Sequence, residues 1–143
     1  MSSVNVLVAV NVEQALVQAA SGNTNIGNFV YMVDSTGYCS SGQGGHELTT
    51  TVTSGETIVW TVQSIDPSTE VTIIGFEGNA IGTPGGSHII NPMQYPQFSG
   101  SVWGGQVYAA SSGPDQYSIR LLLGGGVHCW FDPFIISNAP ANQ

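Results

Sequence analysis

The sequence predicts an all-β domain: an antiparallel β-sandwich, jelly-roll-like, with one short helix after the first strand. Three observations carry this. Short runs of alternating apolar and polar residues, rich in Val, Ile and Thr, recur along the chain. Clusters of Gly, Pro, Asn and Asp separate them. Charged residues make up only 7% of the chain, against roughly 25% in a typical soluble domain, and Ser, Thr, Asn, Gln and Gly supply the polarity instead.

Taken in order, residues 4–10 form a β-branched strand, expected to be buried on both faces or nearly so. The period then changes. Val12, Ala15, Leu16 and Ala19 fall at i, i+3, i+4 and i+7, with Asn11 as cap and Gly22 as stop. A helix of about two turns follows, a lid over one end of the sandwich, carrying Glu13 in its favourable first turn. Residues 29–33 form a second strand, residues 34–37 a turn, and residues 40–45 a Gly/Ser loop. Residues 47–53 and 57–64 alternate about Ser54-Gly55-Glu56 and read as the clearest hairpin in the chain. Asp66-Pro67 breaks that pattern before an apolar strand over residues 70–76.

Residues 77–116 are rich in Gly and Pro with scattered aromatics and no sustained period, as in binding loops or strands too short to show. One or two short strands are expected within residues 102–109. Residues 117–123 and 127–131 flank Gly124-Gly125-Gly126 as a terminal hairpin, with Asp132-Pro133 ending its last strand. Roughly seven to nine strands and no repeat give a sandwich or jelly roll rather than a barrel. The domain spans residues 1–138, and residues 139–143 read as a disordered tail.

The charge balance excludes partners. The chain has no Lys, and Arg120 is the only basic side chain besides three His, against nine Asp and Glu. A net charge of −8 cannot displace counterions from a phosphate backbone, which excludes nucleic acid and, likewise, anionic membrane surfaces. At 143 residues the chain buries enough surface to need no disulfide or metal. Strand edges without Lys lack their commonest protection, so a homo-oligomer is expected, through edges or an apolar face, most readily near the pI of about 4.2. The N-terminal stretch has no basic region and is interrupted by Asn5 and Asn11, so no secretory signal is read. A cytoplasmic protein with Cys39 and Cys129 as thiols is expected. Their pairing, should they meet in space, stays open.

Several stretches together resemble the AidA/PixA inclusion-body protein family of bacteria. They are Asn5-Val-Leu-Val-Ala-Val-Asn-Val-Glu13, Tyr31-Met-Val33, Glu47-Leu48, Ser54-Gly-Glu-Thr57, Tyr117-Ser-Ile119 and Trp130-Phe-Asp-Pro-Phe-Ile-Ile136. They run in the family's order over most of the chain. The Pro- and Asn-rich insertion usual after the family's first strand is missing, and the final hairpin turn is only three glycines. The resemblance implies a jelly-roll-like sandwich and an intracellular protein able to accumulate in quantity. It carries no catalytic motif.

The terminal hairpin is the most informative place for chemistry. With Gly125 at the turn centre, Arg120 lies opposite Trp130 and Leu122 opposite His128. Arg120, His128 and Trp130 then share one face, and Ile119, Leu121, Cys129 and Phe131 the other. A guanidinium, an imidazole and an indole together suit a small anion or a sugar. The plainer reading is Arg120 stacked on Trp130 and paired with an acid. From the 77–116 region, Trp103, Tyr95 and His88 complete the candidate ligand-binding set, aromatic platforms beside amides being suited to carbohydrate. Filling of the core beneath long loops is the plainer role for these aromatics.

No metal is expected: His46, His88 and His128, with Glu47 and Cys129, lack any His-x-His or His-x-x-x-His spacing. Cys129 sits mid-strand among apolar neighbours as an inert thiol, and no Gly-x-Ser-x-Gly elbow occurs. No catalytic residue and no cofactor is assigned. The expected function is a non-enzymatic, self-associating binding or storage-type protein, with a glycan as the small ligand. The alternative is an enzyme with a small-molecule pocket between the 77–116 region and the C-terminal hairpin.

Overall fold

The computed structural model describes residues 3–140. Of the tail expected to be disordered, residues 141–143 lie outside the described residues, while Ala139 and Pro140 are described and exposed. The strands are β1 (Ser3–Val10), β2 (Val30–Asp34), β3 (Thr49–Thr53), β4 (Thr57–Ser64), β5 (Val71–Glu77), β6 (Met93–Gln94), β7 (Val102–Gln106), β8 (Asp115–Gln116), β9 (Ser118–Leu123), β10 (Val127–Phe131) and β11 (Phe134–Asn138). One helix, α1 (Val12–Ala20), follows β1. The eleven described strands exceed the expected number partly because β6 and β8 are two residues each, too short to show a period.

One layer is a five-stranded sheet in the order β2-β1-β4-β7-β6. The other contains two three-stranded sheets, β10-β9-β5 and β3-β11-β8. These two are halves of one long bent hairpin. Phe131 pairs with Ile119 and Phe134 with Gln116 in one continuous register, and at the bend between them the Tyr117 N–H donates to the Pro133 carbonyl at 3.0 Å. Asp132-Pro133 therefore bends the chain into another strand instead of ending the last one. β11 is not legible in the sequence because that Pro reads locally as a stop.

The all-β sandwich class holds, with mixed sheets: β1 pairs with β4, and β3 with β11, in parallel. The hairpin expected across Ser54-Gly55-Glu56 does not form. β3 lies in one layer and β4 in the other, joined by an arch. Glu56 N–H donates to the Thr53 carbonyl at 3.0 Å within the arch, and Ser54 and Gly55 bond outward to Asn138 and Val107. Thr50 and Val52 on β3, and Ile58, Trp60 and Val62 on β4, are all buried between the layers. An arch and a hairpin demand the same alternation, so periodicity cannot separate them.

β1 is also corrected. Val4, Val6, Val8 and Val10 point into the core, but Ser3, Asn5 and Leu7 are exposed. The strand is wet on one face. Helix α1 forms as expected: Asn11 Oδ1 accepts from the Gln14 N–H at 3.2 Å, Val12 and Ala15 are buried, and Gly22 has φ +103° just past the helix.

Loops occupy the edges that lack Lys. On β2, Met32 N–H donates to Gly45 and its carbonyl accepts from Gly44. Ser40 and Ser41 bond to Thr51 and Thr49 of β3, Thr24 and Ile26 to Trp130 of β10, and Gly100 to Ile73 of β5. The short β6 is bracketed by Pro92 and Pro96. Edge pairing between copies, one of the two expected routes to an oligomer, is obstructed by these contacts.

Candidate functional site

The terminal hairpin has the register expected of it, Arg120 opposite Trp130 and His128 opposite Leu122. Ile119, Leu121, Cys129 and Phe131 are buried, so Arg120, His128 and Trp130 lie on the outer face of this layer. Arg120 forms an ion pair with Glu77 across β5, Nη1 to Oε2 at 3.2 Å, with both side chains well exposed. Beside it Ser118 Oγ donates to Asp132 Oδ1 at 2.8 Å. The sequence showed that Arg120 had an acid to find. It did not show which, because Glu77 reaches it only through the β5–β9 pairing.

The other three candidates do not join this group. Trp103 belongs to the opposite layer and faces inward, its Nε1 donating to the Ile73 carbonyl at 3.0 Å and its ring 5.6 Å from Phe76. With Trp60 and Tyr117 it completes an aromatic core cluster beneath the long loop. Tyr95 covers Gly104, where a Cβ would meet the phenol oxygen and lie 2.9 Å from the Ile58 backbone carbonyl oxygen, so the close approach to backbone favours glycine. His88 lies on Gly82, its Nδ1 3.0 Å from the Thr83 carbonyl oxygen.

Three surface cavities have other linings. One of about 370 Å³ is bounded by Ser35, Thr36, Cys39, Thr51, Thr53 and Glu56, among others. A second, of about 200 Å³, is lined by Asn23, Asn25, Gly27, Asn28 and His46. The third, also about 200 Å³, runs along Glu70, Thr72 and the glycine turn of the terminal hairpin. None of the six candidates lines any of the three. Among the described residues no group of three or more His, Cys, Asp or Glu could hold a metal ion.

Behind the first cavity is a polar knot that the sequence presented only as a turn and a Gly/Ser loop. Asp34 accepts from Thr36 Oγ1 at 2.7 Å, Gln43 Nε2 at 2.9 Å and Thr50 Oγ1 at 2.9 Å. Burial raises the Asp34 pKa, but the hydrogen bonds from Thr36, Gln43 and Ser40 outweigh it and hold the carboxyl below its ordinary value. The signal available in the sequence was Asp34-Ser-Thr36, an Asp followed two residues later by a hydroxyl, which favours a local turn bond. Both cysteines are free: Cys39 is exposed, and Cys129 is buried, which pushes its thiol pKa up.

The geometry defines a two-layered β-sandwich in which Arg120 is paired with Glu77, Trp103 with the Ile73 carbonyl and His88 with the Thr83 carbonyl, not with one another. The chain belongs to DUF8788, a family described as a domain of unknown function, which it matches over residues 2–128. Its fold is shared with a solved inclusion body protein, PixA, from Burkholderia cenocepacia J2315, at a TM-score of 0.67 and 11% identity. That similarity covers 96% of this chain and 94% of the other, and bears out in fold the resemblance found in the short motifs. No curated protein sequence matches the chain.

Proposed function

We propose that this chain is a non-enzymatic, self-associating protein of storage type, held in the cytoplasm. The observation that carries the reading is the end-to-end fold shared with an inclusion body protein, with little of either chain left over. The Arg120–Glu77 pair fits its non-enzymatic part, because the guanidinium already has a carboxylate partner on the outer face. A glycan remains the small ligand of this reading, held against Trp130 and His128 on the outer face beside that pair.

Expression at high level in bacteria tests it. The expected result is dense particles whose protein keeps the near-ultraviolet circular dichroism of the folded chain and dissolves without denaturant as pH rises above the pI. Particles soluble only in denaturant, or a protein that stays dispersed at every level, count against it.

A further inference from the structure

Self-association needs a surface where a chain of net charge −8 can meet itself. We propose that copies of this chain associate through the outer face of the five-stranded sheet, an inference that rests on the self-association reading above.

The outward positions of that sheet are Tyr31 and Val33 on β2, Ser3, Asn5, Leu7 and Ala9 on β1, and Thr57, Val59, Thr61 and Gln63 on β4. Val102 and Gln106 on β7, with Met93 on β6, extend the same face, and Tyr95 covers Gly104 between them. None of these side chains is charged. Leu7 pairs with Val33, and Ala9 with Tyr31, so the apolar groups are contiguous. Leu7, Tyr31 and Val33 are 37%, 44% and 43% exposed. Single exposed apolar residues are ordinary, whereas a contiguous strip on a sheet face is a docking feature.

The opposite layer is built the other way. Its β3-β11-β8 sheet presents the uncharged Thr49, Thr51, Phe134 and Ile136 outward, but the outer face of its β10-β9-β5 sheet carries Arg120, Glu77, Asp132 and His128. Two copies meeting there would place carboxylates against carboxylates, which costs binding energy. On the five-stranded face they meet none. The loops along β2 and β3 also obstruct strand addition, which leaves face-to-face stacking.

The area is of the right order. Eight residues along β1 and four strands across give about 26 Å by 19 Å, roughly 500 Å² in projection. A standard interface removes about 800 Å² of accessible surface per partner, and a corrugated face exposes more than its projection. A two-fold pair would present the same patch from each copy.

The test compares the dimer dissociation constants of the full chain and its variants by sedimentation equilibrium at pH 7. Val33→Glu puts a new carboxylate on each copy's patch and is expected to weaken association by about a hundredfold or more. Leu7→Glu should act in the same way and is read in its place if Val33→Glu loses the folded near-ultraviolet spectrum. Ile74→Glu, on the exposed bulge of β5 in the other layer, should leave association unchanged. Wild type and folded face variants associating equally tightly would overturn the assignment while leaving self-association standing. A monomeric wild type would overturn both.

Discussion

The indole N–H of Trp60 donates to the phenol oxygen of Tyr117 at 3.0 Å, tying a central strand of one layer to the bend of the other. Both side chains are fully buried, and their rings lie 5.8 Å apart. Tyr117 also holds the bend through its backbone bond to Pro133, so one residue fixes both the hinge and the contact between layers.

Tyr117→Phe removes the acceptor and leaves the Trp60 N–H buried without it. The expected loss is about 1–3 kcal/mol of unfolding free energy, read from urea denaturation. An unchanged midpoint would mean that the bond contributes nothing net. In the wild type, burial pushes the Tyr117 phenol pKa up, so Tyr117 should stay protonated in an ultraviolet titration after ordinary phenols have ionised.

Asp34 predicts a pH dependence. Its folded pKa is depressed, so its contribution to stability is present above the unfolded carboxylate value of roughly 3.9 and fades as pH falls through the lower folded value. Asp34→Asn should therefore destabilise the protein at pH 7, and the gap from wild type should narrow below about pH 4. A gap that stays constant from neutral to acid pH would mean that the carboxylate charge is irrelevant to the knot.

The thiols should separate kinetically. In the native protein a thiol reagent is expected to label Cys39 promptly and Cys129 only as the fold opens, because Cys39 is exposed and Cys129 is buried. Denaturation without reductant should release both. Finding neither would establish a disulfide.

Arg120→Ala removes an exposed ion pair and should cost no more than about 1 kcal/mol, leaving the thermal midpoint nearly unchanged. If the outer face binds a glycan or an anion through Arg120, an array positive for wild type should fall silent with the variant. A variant that still binds would remove Arg120 from any site.

How much of this was legible in the sequence can be read from particular residues. The Arg120–Trp130 pairing was, because three glycines and a strict period of two leave one register for the terminal hairpin. The cap on α1 was, because Asn11 and the 3.6-residue spacing are local signals. The arch at Ser54-Gly55-Glu56 was not, since alternation says which side chains face the core and nothing about which strand lies alongside. Nor were the parallel β1–β4 and β3–β11 pairs, whose partners lie far apart in sequence. Trp103 was misgrouped with Arg120 for the same reason: its layer depends on the β4–β7 pairing.

Sedimentation velocity of the wild-type chain at pH 7, across a series of micromolar concentrations, tests the central claim most directly. Self-association predicts a weight-average sedimentation coefficient that rises with concentration, and rises further as pH is lowered toward the pI of about 4.2. A single species of 14.9 kDa at every concentration and at both pH values would contradict it.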